Sequence, residues 1–131
     1  MPAPITYDYA IVRVVPRVER GEFVNAGVVV SCDRGARLEA RIAFDPARVR
    51  ALDPQADLEA IAAALESFEA ICRGDPRSGL LARLSPRERF HWLVAPRSAV
   101  IQTSPVHTGR AVDVDAALER LLATVVRLPA A

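Results

Sequence analysis

The feature that most constrains this chain is a block near its start in which two apolar, β-branched runs flank a charged connector. The runs cover residues 9–15 and 23–30, and the connector contains Pro16 and Gly21. Two such runs joined by a short segment with turn-forming residues are typical of a β-hairpin. The sequence therefore predicts two antiparallel strands at the beginning of the fold.

The start of the second run carries residues that do not favour a strand. Glu22 precedes it, and Asn25 and Gly27 lie inside it, although residues of these types are depleted from strand interiors. A local feature has to compensate for them. We therefore expect either a β-bulge or a functional site at this point.

A third strand and a meander are predicted next. Asp33 and Gly35 supply a turn, and residues 36–44 then alternate between apolar and charged side chains. Strict alternation indicates a strand that is buried on one face and solvated on the other. Residues 9–15, 23–30 and 36–44 are therefore predicted to form a three-stranded antiparallel meander.

The remainder of the chain is predicted to be mainly helical. Asp45-Pro46 begins a short helix that extends to Leu52. From residue 56 onward, apolar residues recur at helical spacing until Gly74, namely Leu58, Ile61, Leu65, Phe68 and Cys72. Asp113 begins a last helix with the apolar stripe Val114, Leu118, Leu121, Leu122 and Val125.

The segment between these helices is less clear from the pattern. Residues 75–84 are predicted to form a loop, and Ser85 to Glu88 match a capping box that begins a short helix through Leu93. Phe90, Trp92 and Val94 also alternate, so a strand is an open alternative. Residues 99–103 are predicted to be a fourth strand. The fold class is α+β, an antiparallel sheet (three-stranded meander plus a fourth strand) with helices packed on one face.

Composition limits the possible functions. A length of 131 residues predicts one domain, residues 1–131, and a formal net charge of +1 gives no support for nucleic-acid binding. No signal peptide and no apolar run of ~20 residues occurs, so a cytoplasmic protein without a membrane span is expected. Cys32 and Cys72 are too few and too far apart for a zinc site and are predicted to be buried free thiols. No cofactor or metal is expected.

No catalytic signature occurs in the chain, so no catalytic residue can be assigned. The candidate binding residues are a polar set, Glu22, Asn25, Arg97, Ser98 and His107. A carboxylate near an arginine and a histidine could bind an anion or carry out acid–base chemistry. Each residue also has a structural explanation. Glu22 can form an ion pair at the turn, and Asn25 can hydrogen-bond to the local backbone. Arg97 and Ser98 can form a turn after Pro96, and His107 can hold the loop before the last helix in place through backbone hydrogen bonds. Convergence of the set requires the second and fourth strands to be neighbours or to meet at one sheet end.

Several sequence blocks resemble the bacterial family called domain of unknown function 3037. They are Tyr7-x-Tyr9, residues 14–16, residues 21–28, residues 89–98 and residues 104–109. The resemblance implies no established activity or cofactor. Members often sit beside genes for HipA-like kinases, which implies a regulatory module with a protein partner, in this case a HipA-like kinase. The alternative is an enzyme or anion-binding domain that acts on a phosphate-bearing substrate through Glu22, Arg97 and His107.

Overall fold

The computed structural model describes residues 2–129. Strands β1 (Ile5–Val14), β2 (Val24–Cys32) and β3 (Arg37–Ile42) are consecutive antiparallel neighbours, which confirms the predicted meander. β1 begins earlier and β2 ends later than the apolar runs indicated. The α+β class is also confirmed.

Two further strands lie end to end along the free edge of β1. Strand β4 (Ile101–Thr103) pairs with the last residues of β1, and strand β5 (His107–Ala111) pairs with its first half. β4 corresponds to the predicted fourth strand, but its neighbour is β1 and not β2. The sequence predicts a loop at His107, Thr108 and Gly109, because polar residues and glycine give this segment a low strand propensity. Pairing with β1 outweighs that propensity.

The predicted irregularity in β2 is a β-bulge. Val12 pairs with Gly27 and Arg13 pairs with Asn25, so Ala26 is the additional residue on β2. Gly27 also allows β3 to approach closely, since a Cβ atom there would lie 2.5 Å from the Arg41 carbonyl oxygen. The bulge and the close approach together account for two unfavourable strand residues in this run.

Four α-helices follow the signals in the sequence. They are α1 (Pro46–Leu52), α2 (Leu58–Arg73), α3 (Pro86–Val94) and α4 (Val114–Leu121), and α4 continues as a π-helical turn, Leu122–Val126. Each begins after a side chain that accepts a hydrogen bond from a backbone N–H: Asp45, Asp57, Ser85 and Asp113. Ser85 and Glu88 form the predicted capping box, so residues 86–94 are helical and not a strand.

Short 3-10 helices fill two of the connections. Val18–Arg20 links β1 to β2, and Pro76–Arg83 links α2 to α3. The second was predicted to be a loop. It is helical in two pieces separated by Gly79, whose φ is 67°.

The sheet separates two hydrophobic cores, so the helices lie on both faces rather than on one. Helices α2 and α3 pack against Ala10, Val12 and Val14 of β1, whereas α4 packs against Val28, Val30 and Cys32 of β2. All residues of β2 except Asn25 are buried, and a strand buried on both sides needs cover on both faces.

Helix α4 also covers the charged face of β3 that the alternation predicted to be solvated. Arg41 donates to Glu119 (2.9 Å) and Asp115 (3.1 Å), and Arg37 donates to Asp115 (2.6 Å). The arginines of β3 therefore form ion pairs with α4 instead of facing only water. Among residues 2–129, no helix is both long enough and apolar enough to cross a membrane.

Both cysteines are free and buried, as predicted. Burial raises the pKa of the Cys72 thiol to about 12 and also raises the pKa of Cys32. Neither thiol is a ready nucleophile at neutral pH, because the thiolate is the reactive form. Both cysteines pack in the hydrophobic cores as small apolar side chains.

Candidate functional site

The polar residues singled out from the sequence lie in separate environments. Glu22 accepts a hydrogen bond from Arg20 at 2.5 Å in the connection between β1 and β2. Arg97 follows α3, where its guanidinium stacks on the Trp92 ring at 4.2 Å and donates to the Trp92 carbonyl. Ser98 is exposed in the bend that follows.

Asn25 and His107 lie on the sheet face that carries α4. The Asn25 amide donates to the Val125 carbonyl (2.9 Å), and the exposed His107 ring lies 5.4 Å from the Tyr9 ring. Their partners on β1 are Arg13 and Tyr9, four residues and therefore about 13 Å apart along the strand. The structure thus does not bring Asn25 and His107 together.

Arg97 lies on the opposite side of the sheet from these two residues, because it lines a depression with Phe68 and Leu93 of the other core. The five residues therefore do not form one cleft. A functional role for each of them individually stays a prediction.

A different polar cluster lies on the face covered by α3. It borders an open cavity of about 690 Å³ between the start of β1, the β2–β3 turn and α3. The polar residues that line it include Thr6, Asp8, Ser31, Asp33, Arg34 and Arg87. Cavities of this volume are within the range of small-molecule sites in proteins.

Arg87 and Asp8 form the centre of this cluster. The Arg87 guanidinium donates to Asp8 Oδ2 at 2.8 Å and to the buried Ser31 Oγ at 3.0 Å. Thr108 of β5 donates to the other Asp8 oxygen at 2.8 Å. Three strands and one helix thus contribute side chains to one hydrogen-bond network.

The network changes the acidity of Asp8. Burial raises the pKa of this carboxyl, but the hydrogen bonds from Thr108 and Arg87 and the nearby charges of Arg87 and His91 lower it more. The net result is a pKa below the ordinary value of 3.8. Asp8 is therefore a carboxylate whose charge is balanced by Arg87 throughout the neutral pH range.

The turn at the cavity mouth has an unusual backbone. Asp33 and Arg34 both have φ of 56°, and Gly35 has φ of 86°. A Cβ atom on Gly35 would lie 2.9 Å from the Arg87 Cβ, so glycine is needed for the turn to approach α3. Asp tolerates the left-handed region, whereas arginine adopts it at a cost.

A pH-dependent stability is expected from Asp8. Because its pKa is lowered in the folded state, its stabilising contribution is present above about pH 4, its unfolded value, and is lost as the pH falls through the folded value. Asp8→Asn should therefore reduce the free energy of unfolding more at pH 7 than at pH 3, as measured by urea titration. Glu59→Gln on the exposed side of α2 is the control; equal pH dependence in both variants would contradict this prediction.

A second surface, mostly apolar, follows the exposed side of α2. We call it the α2 groove: three depressions of about 320–360 Å³, of which the first and second share Ser67 and Ile71 and the second and third share Ala64 and Val100. One wall carries Trp92, whose surface is 42% exposed, together with Arg97. The other wall is formed by the 3-10 helix Pro76–Arg83 through Arg77 and Ser78.

The cavity residues were not predicted as a site, although the sequence carries one signal for them. Asp8 is a carboxylate inside a strand of apolar residues, and Ser31 ends another such run. Ser31 is buried and Asp8 is partly buried, and a carboxylate that is partly withdrawn from water favours a positively charged partner. Arg87 was interpreted only as part of a helix start, and nothing in the sequence connects it with Asp8, 79 residues away.

The fold is an antiparallel sheet between helices, and it carries a polar cavity on one face and an apolar groove beside it. The family of proteins of unknown function DUF3037 matches residues 9–126. The chain therefore belongs to this family. No curated protein and no solved structure matches the chain.

Within residues 2–129, no group of three His, Cys, Asp or Glu side chains is placed to hold a metal ion.

Proposed function

We propose that this protein is a partner-binding, regulatory module that uses the α2 groove to hold a helix of another protein. The observation that carries the proposal is the exposed Trp92 in the wall of a mostly apolar groove. Tryptophan and arginine are enriched among residues that dominate binding energy at interfaces, and an exposed apolar patch on a folded domain commonly marks an interaction site.

The shape of the α2 groove favours a helix as the occupant. Its floor is formed by Ala60, Ala64, Ser67 and Ile71, which recur every three or four residues along α2. Small side chains allow a second helix to approach closely. The floor spans about 16 Å, which corresponds to about three helical turns of a partner.

The charges at the α2 groove favour a partner with acidic residues. Arg97 stacks on Trp92 and donates to backbone carbonyls, and it has no carboxylate partner among residues 2–129. A carboxylate on the bound helix would pair with it. A HipA-like kinase is the partner that the family resemblance suggests, so we propose such a kinase from the same host as the binding protein.

The test is a calorimetric titration of the purified HipA-like kinase with the wild-type protein and two matched variants. Ser67→Glu places a charged side chain on the groove floor, whereas Ala62→Glu adds the same group on the exposed side of α2 outside the groove. We expect Ser67→Glu to weaken binding at least about tenfold and Ala62→Glu to have little effect.

Fluorine NMR gives an independent measurement, because Trp92 is the only tryptophan in the chain. Labelling with fluorotryptophan places one reporter in the α2 groove, and its signal should shift when the kinase binds. If the wild-type protein does not bind the kinase, or if both glutamate variants bind it equally well, the proposed function is refuted.

A further inference from the structure

We propose that the cavity beside Arg87 binds the phosphate group of a small molecule. This site is separate from the α2 groove and does not depend on the proposed partner. It shares no residue with the set Glu22, Arg97 and His107 that the sequence indicated for anion binding.

Arg87 is positioned in advance for such a ligand. Its hydrogen bonds to Asp8 and Ser31 and its contact with the Phe90 ring, 5.1 Å away, fix the side chain at the cavity wall. These contacts use two of the five guanidinium N–H groups, so others are left for a ligand. Because the side chain is already ordered, binding would not require the loss of its rotamer freedom.

Arg34 supplies a second guanidinium at the cavity mouth. It lines the cavity, is exposed, and makes no hydrogen bond or ion pair within residues 2–129. Its φ of 56° would suit glycine better than arginine, so the backbone conformation gives no reason for an arginine here. A side chain that contacts a ligand would be such a reason.

The arrangement of donors fits phosphate. Two arginines from different elements, Arg34 and Arg87, line the cavity together with the hydroxyl-bearing residues Thr6 and Ser31. Donors spread in three dimensions match a tetrahedral anion, and arginine binds phosphate with paired N–H groups. The carboxylate of Asp8 is neutralised by Arg87 and accepts a hydrogen bond from Thr108, so Asp33 is the main opposing charge.

The cavity is larger than a phosphate ion. About 690 Å³ leaves room for an attached organic group such as a nucleoside. The ligand class is therefore a small organic phosphate, and adenosine monophosphate is a suitable probe, with inorganic phosphate and adenosine as comparisons.

The experiment is calorimetric titration of wild type, Arg34→Gly and Asp33→Gly with these three probes. Both variants place glycine at a residue with φ of 56°, a backbone conformation that glycine adopts without strain, so both should remain folded. Only Arg34→Gly removes a donor. We expect it to bind adenosine monophosphate at least about tenfold more weakly, as for the loss of one charge-assisted hydrogen bond. Asp33→Gly should bind as well as wild type or more tightly.

Binding is measured well below the melting temperatures, and a folded-state NMR spectrum of each variant checks its structure. The proposal is supported if both phosphate-containing probes bind and adenosine does not. It is overturned if neither phosphate-containing probe binds, if adenosine binds as well as its monophosphate, or if Arg34→Gly binds like the wild type.

Discussion

Replacing Phe90 with alanine is expected to lower the free energy of unfolding by about 3–5 kcal/mol. Phe90 is only 1% exposed and is among the largest fully buried side chains. It lies in the core between α2, α3 and β1, so its removal costs the transfer free energy of the ring and leaves a cavity. Urea or guanidinium titration measures the change.

Phe23→Ala is the matched control for this substitution. Phe23 is 44% exposed and its main contact is the Arg13 guanidinium, 4.0 Å from the ring centre. Its loss should cost about 1 kcal/mol or less. If Phe90→Ala were no more destabilising than Phe23→Ala, the proposed packing of α3 on the sheet would be wrong.

Replacing Leu118 with alanine is expected to lower the free energy of unfolding by about 2–5 kcal/mol. Leu118 is fully buried in the second core, where α4 packs on the opposite sheet face. The size of the effect depends on how far α4 can settle into the space left by the side chain. The same denaturant titration measures it.

Leu128→Ala is the control for Leu118→Ala, because Leu128 is 65% exposed and its truncation should change stability by no more than about 0.5 kcal/mol. A Leu118→Ala variant as stable as the wild type would show that α4 does not form a real second core. Such a result would favour the sequence-based prediction that all helices pack on one face of the sheet.

Local signals predicted the helices well. Asp45, Ser85 and Asp113 were predicted as helix caps and cap the helices that follow them, and Gly74 ends α2 in the left-handed region; the cap of α2, Asp57, was not singled out. These features act within one turn of a helix, so they can be recognised without knowing the rest of the fold. The buried stripe of Ile61, Leu65, Phe68 and Cys72 was predictable for the same reason.

Long-range features were not predictable. β5 exists because β1 offers it an edge, and its own residues favour a loop. Helix α4 lies on the second face because β2 is buried on both faces and needs cover on each. The apolar periodicity of the α4 segment does not reveal which face it covers. The cavity network joins Asp8, Arg87 and Thr108 from distant parts of the chain, so no local pattern connects them.

The bulge in β2 was expected from the sequence, and the structure adds a role for one of its residues. Asn25 was singled out because it is a poor strand residue, and a binding role was considered. In the structure its amide donates to the Val125 carbonyl and thereby holds the end of the last helix against the sheet. A strand residue that contradicts propensity can therefore indicate a tertiary contact instead of a ligand.

The position of α4 also has a consequence for synthesis and folding. All five strands and the helices α1 to α3 precede residue 114, and the first core contains no residue of α4, so the sheet and this core can form before α4 docks. Until then, Tyr7, Val28, Val30 and Cys32 face water on the uncovered side. A folding intermediate in which α4 has not yet docked therefore exposes an apolar sheet face that favours aggregation, and docking of residues 114–126 covers this face.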